Sequence, residues 1–123
     1  MKQLDILVVD DKKVIGDFFD LTMGYYGHHI TVVHNMNNAL EAVKLNEFDM
    51  AFVDMIIPEH DGVEILNGIK GINPQLPVVM MSGYSLDEKR RQAVHCGAVY
   101  CLKKPFEFDD IRRVVKEAIG QDI

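Results

Sequence analysis

Residues 6–11 read Ile6-Leu7-Val8-Val9-Asp10-Asp11, four apolar residues in unbroken succession followed at once by two acids. A strand with one wet face alternates apolar and polar side chains. This one does not, so it reads as a strand covered on both faces, with the acids where it leaves the sheet. Working outward, the same kind of run recurs at Ile30–Val33, Met50–Val53, Val78–Met81 and Val99–Leu102, each separated from the next by a helical pattern.

Between the first two runs, Val14, Ile15, Phe18, Leu21 and Tyr25 form an i, i+4, i+7 stripe that predicts a helix capped at Gly27. The Asn-rich stretch 35–38 starts a second helix carrying Ala39, Leu40 and Val43. Ile65, Leu66 and Ile69 mark a third, closed by Gly71 and Pro74, with Gly62 serving the turn into it. Ser85-Leu86-Asp87-Glu88 has the capping-box pattern that opens a fourth. The last carries Ile111, Val114, Val115 and Ala118 on one face, with Asp109 and Asp110 in its first turn, where the helix dipole favours acids. Five strands alternating with five helices predict one α/β domain over residues 1–123. Right-handed crossovers leave few topologies, and the flavodoxin-like doubly wound (βα)5 sheet of five parallel strands, order 2-1-3-4-5, is the expected one.

Composition narrows the function classes. A net charge of −6 argues against a nucleic-acid-binding surface, which needs Lys and Arg in excess on one face. No apolar run approaches the roughly 20 residues that span a bilayer, and the N-terminus has no signal-peptide layout, so a cytoplasmic protein without membrane contact is expected. Cys96 and Cys101 have no second Cys-rich knuckle near them; they read as reduced, buried thiols rather than a zinc site. The seven Met residues read as core filler, and His34, His60 and His95 as scattered side chains, His60 solvent-exposed.

In a doubly wound sheet, ligands bind beyond the carboxyl ends of the strands. Strand one ends in Asp10-Asp11, strand three in Asp54, strand four in Ser82-Gly83 and strand five in Lys103-Lys104-Pro105; strand two offers nothing polar beyond His34. Strands one and three are neighbours in the expected order, so three carboxylates converge. Like charges this close repel unless a cation neutralises them, and hard oxygen donors suit Mg²⁺ or Mn²⁺. Asp10 or Asp11 could instead be only an N-cap for the first helix, but capping does not explain a third acid at 54. A carboxylate can be a nucleophile that forms an acyl phosphate, with a metal, a Lys ammonium, a hydroxyl and backbone amides neutralising the transferred group. Lys104 and Ser82 stand at strand ends from which they reach the same point as Asp54.

Together, Asp10-Asp11, the segment Asp54-Met55-Ile56-Ile57-Pro58-Glu59-His60-Asp61-Gly62, Ser82-Gly83, Gly97-Ala98 and Lys104-Pro105-Phe106 resemble the receiver domains of bacterial two-component response regulators over essentially the whole chain. The resemblance implies that Asp54 is the phospho-acceptor and that Asp11, Asp54 and the backbone carbonyl of Ile56 hold the metal, supported by Asp10. It matches Ser82 to the hydroxyl that bonds the phosphoryl group, Lys104 to the Lys that pairs with it, and Pro105 to a cis-proline. Lys103 competes for the Lys role, but alternation along the strand points it the other way. The implied partners are a sensor histidine kinase or phosphotransfer protein as donor and an effector or output domain downstream, with a phosphorylation-dependent homodimer also within the family's range. The implied read-out is the face of the fourth helix, fifth strand and fifth helix. The sequence ends at Gly120-Gln121-Asp122-Ile123, and either a stand-alone receiver or a domain of a longer regulator is expected.

Two positions depart from the family pattern. Where the family has Tyr or Phe three residues before the Lys, this chain has Cys101, with Tyr100 one residue off on the opposite strand face. Either the aromatic signal is absent or the strand has shifted register; Tyr100 is expected to be core packing. Ile56 and Tyr84, at positions that influence attack of water on the acyl phosphate, are bulky and largely apolar and are expected to shield Asp54. Two other classes compete. An aspartyl-nucleophile phosphohydrolase of Rossmann-like fold needs an acid two residues after the nucleophile, where Ile56 stands. An FMN-binding flavodoxin-like protein wants a phosphate-binding loop after strand one, where Asp10 and Asp11 would repel a phosphate.

Overall fold

The computed structural model describes residues 2–83, 91 and 93–123. Five strands, β1 (Asp5–Val9), β2 (His29–Val33), β3 (Met50–Asp54), β4 (Val78–Ser82) and β5 (Tyr100–Lys103), form one sheet. Every pairing is parallel, and the order is β2-β1-β3-β4-β5. The apolar runs therefore mark the strands to within one residue, and the order is the expected one.

The unbroken apolar runs have a direct cause. Successive side chains of a strand point to opposite faces, and both faces are covered. Leu7, Val9, Ala51, Val53, Val78 and Met80 pack on one side with Ile65, Leu66 and Ile69 of helix α3 (Gly62–Ile72) and Ala39 and Val43 of α2 (Met36–Leu45). Ile6, Val8, Met50, Phe52, Val79, Met81 and Leu102 pack on the other with Phe19 of α1 (Lys13–Thr22) and Ile111, Val114 and Val115 of the C-terminal helix (Phe108–Ile119). Each such Val, Leu, Ile, Phe or Met side chain fully removed from water contributes about 1.5–3 kcal/mol. Met50, Met55, Met80 and Met81 are all buried, as filler should be.

Local chemistry sets the helix ends. The Asn35 side chain accepts the Asn38 N–H at the start of α2, and that of Asp61 accepts the Val63 N–H at the start of α3. Glu107 and Asp110 form a reciprocal capping box on the C-terminal helix. Gly71 lies inside α3, which closes at Asn73, so the expected glycine stop is corrected. The capping box expected at Ser85–Glu88 lies outside the described residues.

The first helix departs from expectation. It ends at Thr22, and Gly27, in the left-handed conformation, closes a separate 3₁₀ turn at Gly24–Tyr26. Val14, Leu21 and Tyr25 are exposed at 67%, 76% and 81%. Ile15 and Phe18 of the expected stripe do pack on the sheet, half-buried, but the fully buried positions are Phe19 and Met23, in line with Ile15 at a spacing of four. Both stripes obey the 3.6-residue period, so periodicity alone did not choose between them. Tyr25 meets Tyr26 edge-on, and the Tyr26 ring stacks on Phe108.

Tyr100 is also corrected: it is 36% exposed, on the edge strand, which has a neighbour on one side only. The ladder from Val79–Tyr100 to Ser82–Lys103 is regular, so β5 has not slipped and Cys101 truly holds the position three before Lys104. Cys96 and Cys101 are half-buried thiols packed against the α2/α3 core, not fully buried ones.

Candidate functional site

Because all five strands run the same way, their carboxyl ends meet along one edge. Asp10 follows β1, and its amide donates to the Val33 carbonyl (3.1 Å), continuing the ladder one step beyond the strands. Its side chain is fully buried and doubly engaged: Oδ1 accepts the Lys12 amide at 2.8 Å, and Oδ2 accepts Lys104 Nζ at 2.9 Å. The N-cap residue of α1 is Lys12, with no side-chain cap. Asp10 therefore holds the turn into the helix rather than capping it. His34 adds a ring contact, Nδ1 to the Asp10 carbonyl at 2.9 Å, which the sequence did not signal.

Asp54 ends β3 and is 3% exposed. Its Oδ1 accepts the Ile56 amide at 3.4 Å. Its Oδ2 lies 3.3 Å from Lys104 Nζ and 3.9 Å from Lys12 Nζ, yet completes no hydrogen bond among the described residues. Burial pushes the Asp54 carboxyl above the usual carboxylate range, and Asp10 adds to this; Lys104 pulls the other way.

The segment after Asp54 folds back sharply. Ile56–Ile57 pairs antiparallel with His60–Asp61, and the Gly62 amide donates to the Met55 carbonyl at 2.9 Å. A Cβ on Gly62 would strike the Asp54 carbonyl oxygen and the Met55 Cα, so the expected demand for a small residue here comes from close approach. Glu59 takes the left-handed φ of 74° at the hairpin tip. His60 is half-buried rather than solvent-exposed, its Nδ1 3.3 Å from Glu64 Oε2 one helical turn on.

Ser82 is buried at the end of β4, and its carbonyl accepts the Lys104 amide at 2.6 Å. That bond extends the β4–β5 ladder past Lys103 and aims Lys104 at the acids. Lys103 is exposed, and the Lys104–Pro105 peptide is cis. Tyr84 lies outside the described residues.

The edge thus brings together Asp10, Asp11, Asp54, Ser82 and Lys104, with the Ile56 amide on the Asp54 carboxylate. Single oxygens of Asp10, Asp11 and Asp54 come within 4.8 Å of one another. These donors are hard and anionic and fit a small divalent cation, and the buried Asp54 Oδ2 is an atom such an ion would satisfy. One residue went unassigned in the sequence: Lys12, whose ammonium is 3.6 Å from Asp11 Oδ1. Burial works against its charge, but Asp11, Asp54 and Asp10 together outweigh that and hold its pKa above the ordinary lysine value.

Known proteins resemble this chain in sequence and fold. The model of the response regulator receiver domain family matches residues 6–116. The chain is 35% identical over 97% of its length to the transcriptional regulatory protein ZraR of Klebsiella oxytoca, but spans only 27% of that protein. The receiver domain of NtrX from Brucella abortus is 32% identical, with a TM-score of 0.88 covering 96% of this chain and all of that one. A CheY-like receiver domain protein from Methanospirillum hungatei, at 24% identity, shares the fold with a TM-score of 0.89 over 94% of this chain and 93% of its own. The chain belongs to the response regulator receiver domain family, the phosphorylation-activated switches of two-component systems. It spans about a quarter of the length of the curated ZraR relatives it matches. Among the described residues, no helix is long and apolar enough to cross a membrane.

Proposed function

We propose that residues 1–123 act as one receiver unit whose Asp54 accepts a phosphoryl group in a Mg²⁺-dependent reaction that the domain itself promotes. The observation that carries this reading is the state of the Asp54 carboxylate: Oδ1 is tied to the Ile56 amide, while buried Oδ2 completes no hydrogen bond among the described residues and faces the Lys104 ammonium. Oδ2 attacks phosphorus, the bond from phosphorus to the donor's leaving atom breaks, and an acyl phosphate remains. Lys104 neutralises charge on the transferred group, and the Ser82 hydroxyl, at the end of the adjacent strand, donates to it.

Asp11, Asp54 and the Ile56 carbonyl would hold the Mg²⁺ (or Mn²⁺), which would supply charge neutralisation in addition to that of Lys104. Both oxygens of Asp10 are already committed, to the Lys12 amide and to Lys104. That fits Asp10 to a supporting role, orienting Lys104, rather than to direct ligation.

The donor in this reading is a cytoplasmic sensor histidine kinase or phosphotransfer protein, and the partner downstream is an effector or output domain. Read-out runs through the face of β5 and the C-terminal helix, together with the helix expected from sequence after β4. Cys101 stands where an aromatic would report the change, so coupling there proceeds without a ring. A phosphorylation-dependent homodimer belongs to the same proposal. Turnover as a phosphohydrolase is not favoured, because the exposed Ile56 side chain supplies no acid or base.

Incubation with acetyl phosphate, with and without Mg²⁺, tests the reading by intact mass. A gain of one phosphoryl group that needs the metal and disappears in Asp54→Asn is the expected result. No gain by the parent protein with any small phosphodonor would overturn it.

A further inference from the structure

The site contains a second cation that the proposed reaction does not use. Lys12 Nζ stands 3.6 Å from Asp11 Oδ1 and 3.9 Å from Asp54 Oδ2, the two carboxylates with oxygens left to offer a metal. Its side chain is 59% exposed, so it reaches in from solvent and has room to swing out. Lys104 differs: it is 14% exposed and fixed by its 2.9 Å bond to Asp10.

Charge balance gives these distances a meaning. Three ionised carboxylates and Lys104 alone would leave the cluster at a formal −2; Lys12 brings it to −1. A divalent cation entering between Asp11 and Asp54 meets an ammonium already there and must displace it or bear its repulsion. Lys12 follows Asp11 directly, and its amide is held by Asp10 Oδ1 at 2.8 Å, so the backbone that carries the competitor is part of the site itself.

We propose that Lys12 is a built-in competitor for the divalent metal, an ammonium that neutralises Asp11 and Asp54 in the metal-free domain and yields when the ion enters. Its role is positional: it sets the metal concentration at which the switch becomes competent and keeps the empty acid cluster from repelling itself. The inference rests on the metal reading of the site proposed above.

Calorimetric titration of Mg²⁺ into the parent protein, Lys12→Met, Lys12→Gln and Lys12→Arg tests this without any phosphoryl transfer. The two neutral variants are expected to bind Mg²⁺ about three- to tenfold more tightly, the range expected from losing two partly exposed ion pairs. Lys12→Arg, which keeps the charge, should stay within about twofold of the parent. Thermal unfolding without metal adds a second reading: the neutral variants should melt below the parent, and saturating Mg²⁺ should close the gap. Neutral variants that bind Mg²⁺ no more tightly than a parent that does bind it would overturn the Lys12 role alone. A parent protein with no saturable Mg²⁺ binding would overturn the metal reading, and this inference with it.

Discussion

Lys104 and Asp10 form a buried ion pair 2.9 Å long at the heart of the site, and the same ammonium lies 3.3 Å from Asp54 Oδ2. They are 94 positions apart in sequence, so the bond ties the end of the last strand to the end of the first. Removing the cation leaves two buried carboxylates facing each other. Lys104→Met is expected to destabilise the metal-free domain by about 3 kcal/mol in urea denaturation, with part of the loss recovered in Mg²⁺. A variant as stable as the parent would show that the pair is not desolvated.

Asp54 is strained in the opposite sense. Burial first, and Asp10 second, raise its folded pKa above the unfolded value. A carboxyl raised in this way favours the fold below its unfolded pKa and loses that contribution as pH rises through the folded pKa. At neutral pH the charged group is therefore a burden. Asp54→Asn should be more stable than the parent near pH 7, by on the order of 1 kcal/mol, with the gap narrowing as pH falls. Thermal unfolding at several pH values measures it; a gap that widens on acidification would be the wrong sign.

His28 makes a separate prediction, away from the site. It is 6% exposed, and its Nδ1 accepts the Leu4 amide at 3.0 Å, which requires a neutral ring. Burial lowers its pKa from the ordinary 6.5. Stability from a group lowered in this way is complete above the unfolded pKa and drains as pH falls toward the folded one. The parent should lose stability on going from about pH 7.5 to about pH 5.5 faster than His28→Gln does. Parallel curves would contradict the assignment.

Ile56 is 51% exposed beside the Asp54 carboxylate, so its replacement does not disturb the core. If its apolar side chain keeps water from the acyl phosphate, Ile56→Asn, which adds a hydrogen-bonding group, should shorten the lifetime about tenfold. That is the rate equivalent of one hydrogen bond of about 1.4 kcal/mol. Decay of the phosphorylated form by intact mass is the measurement, and an unchanged half-life would remove the shielding role.

The strands were legible because both sheet faces are covered, which leaves unbroken apolar runs such as Ile6–Val9 and Val78–Met81. The acids, Ser82 and Lys104 were legible for a related reason: in a parallel sheet, the residue that ends a run is placed by topology alone. What sequence could not rank were choices among equals. The expected stripe Val14, Ile15, Phe18, Leu21 and Tyr25 and the observed line Ile15–Phe19–Met23 share Ile15 and satisfy the same period, and only docking on the sheet distinguishes them. Tyr100 looked like core, but an edge strand leaves it half in water. Lys12 was invisible as a site residue because a long, flexible side chain beside an acid pair gives no hint of which way it turns.

The central claim is that the Asp54 carboxylate, and no other group, becomes an acyl phosphate. Borohydride reduces an acyl phosphate to an alcohol while leaving ordinary carboxylates intact. The protein treated with acetyl phosphate and Mg²⁺ should therefore give, after reduction and peptide mass mapping, homoserine in place of Asp54 alone. Homoserine at any other Asp, or the corresponding longer alcohol at a Glu, with Asp54 recovered unchanged, would contradict the account.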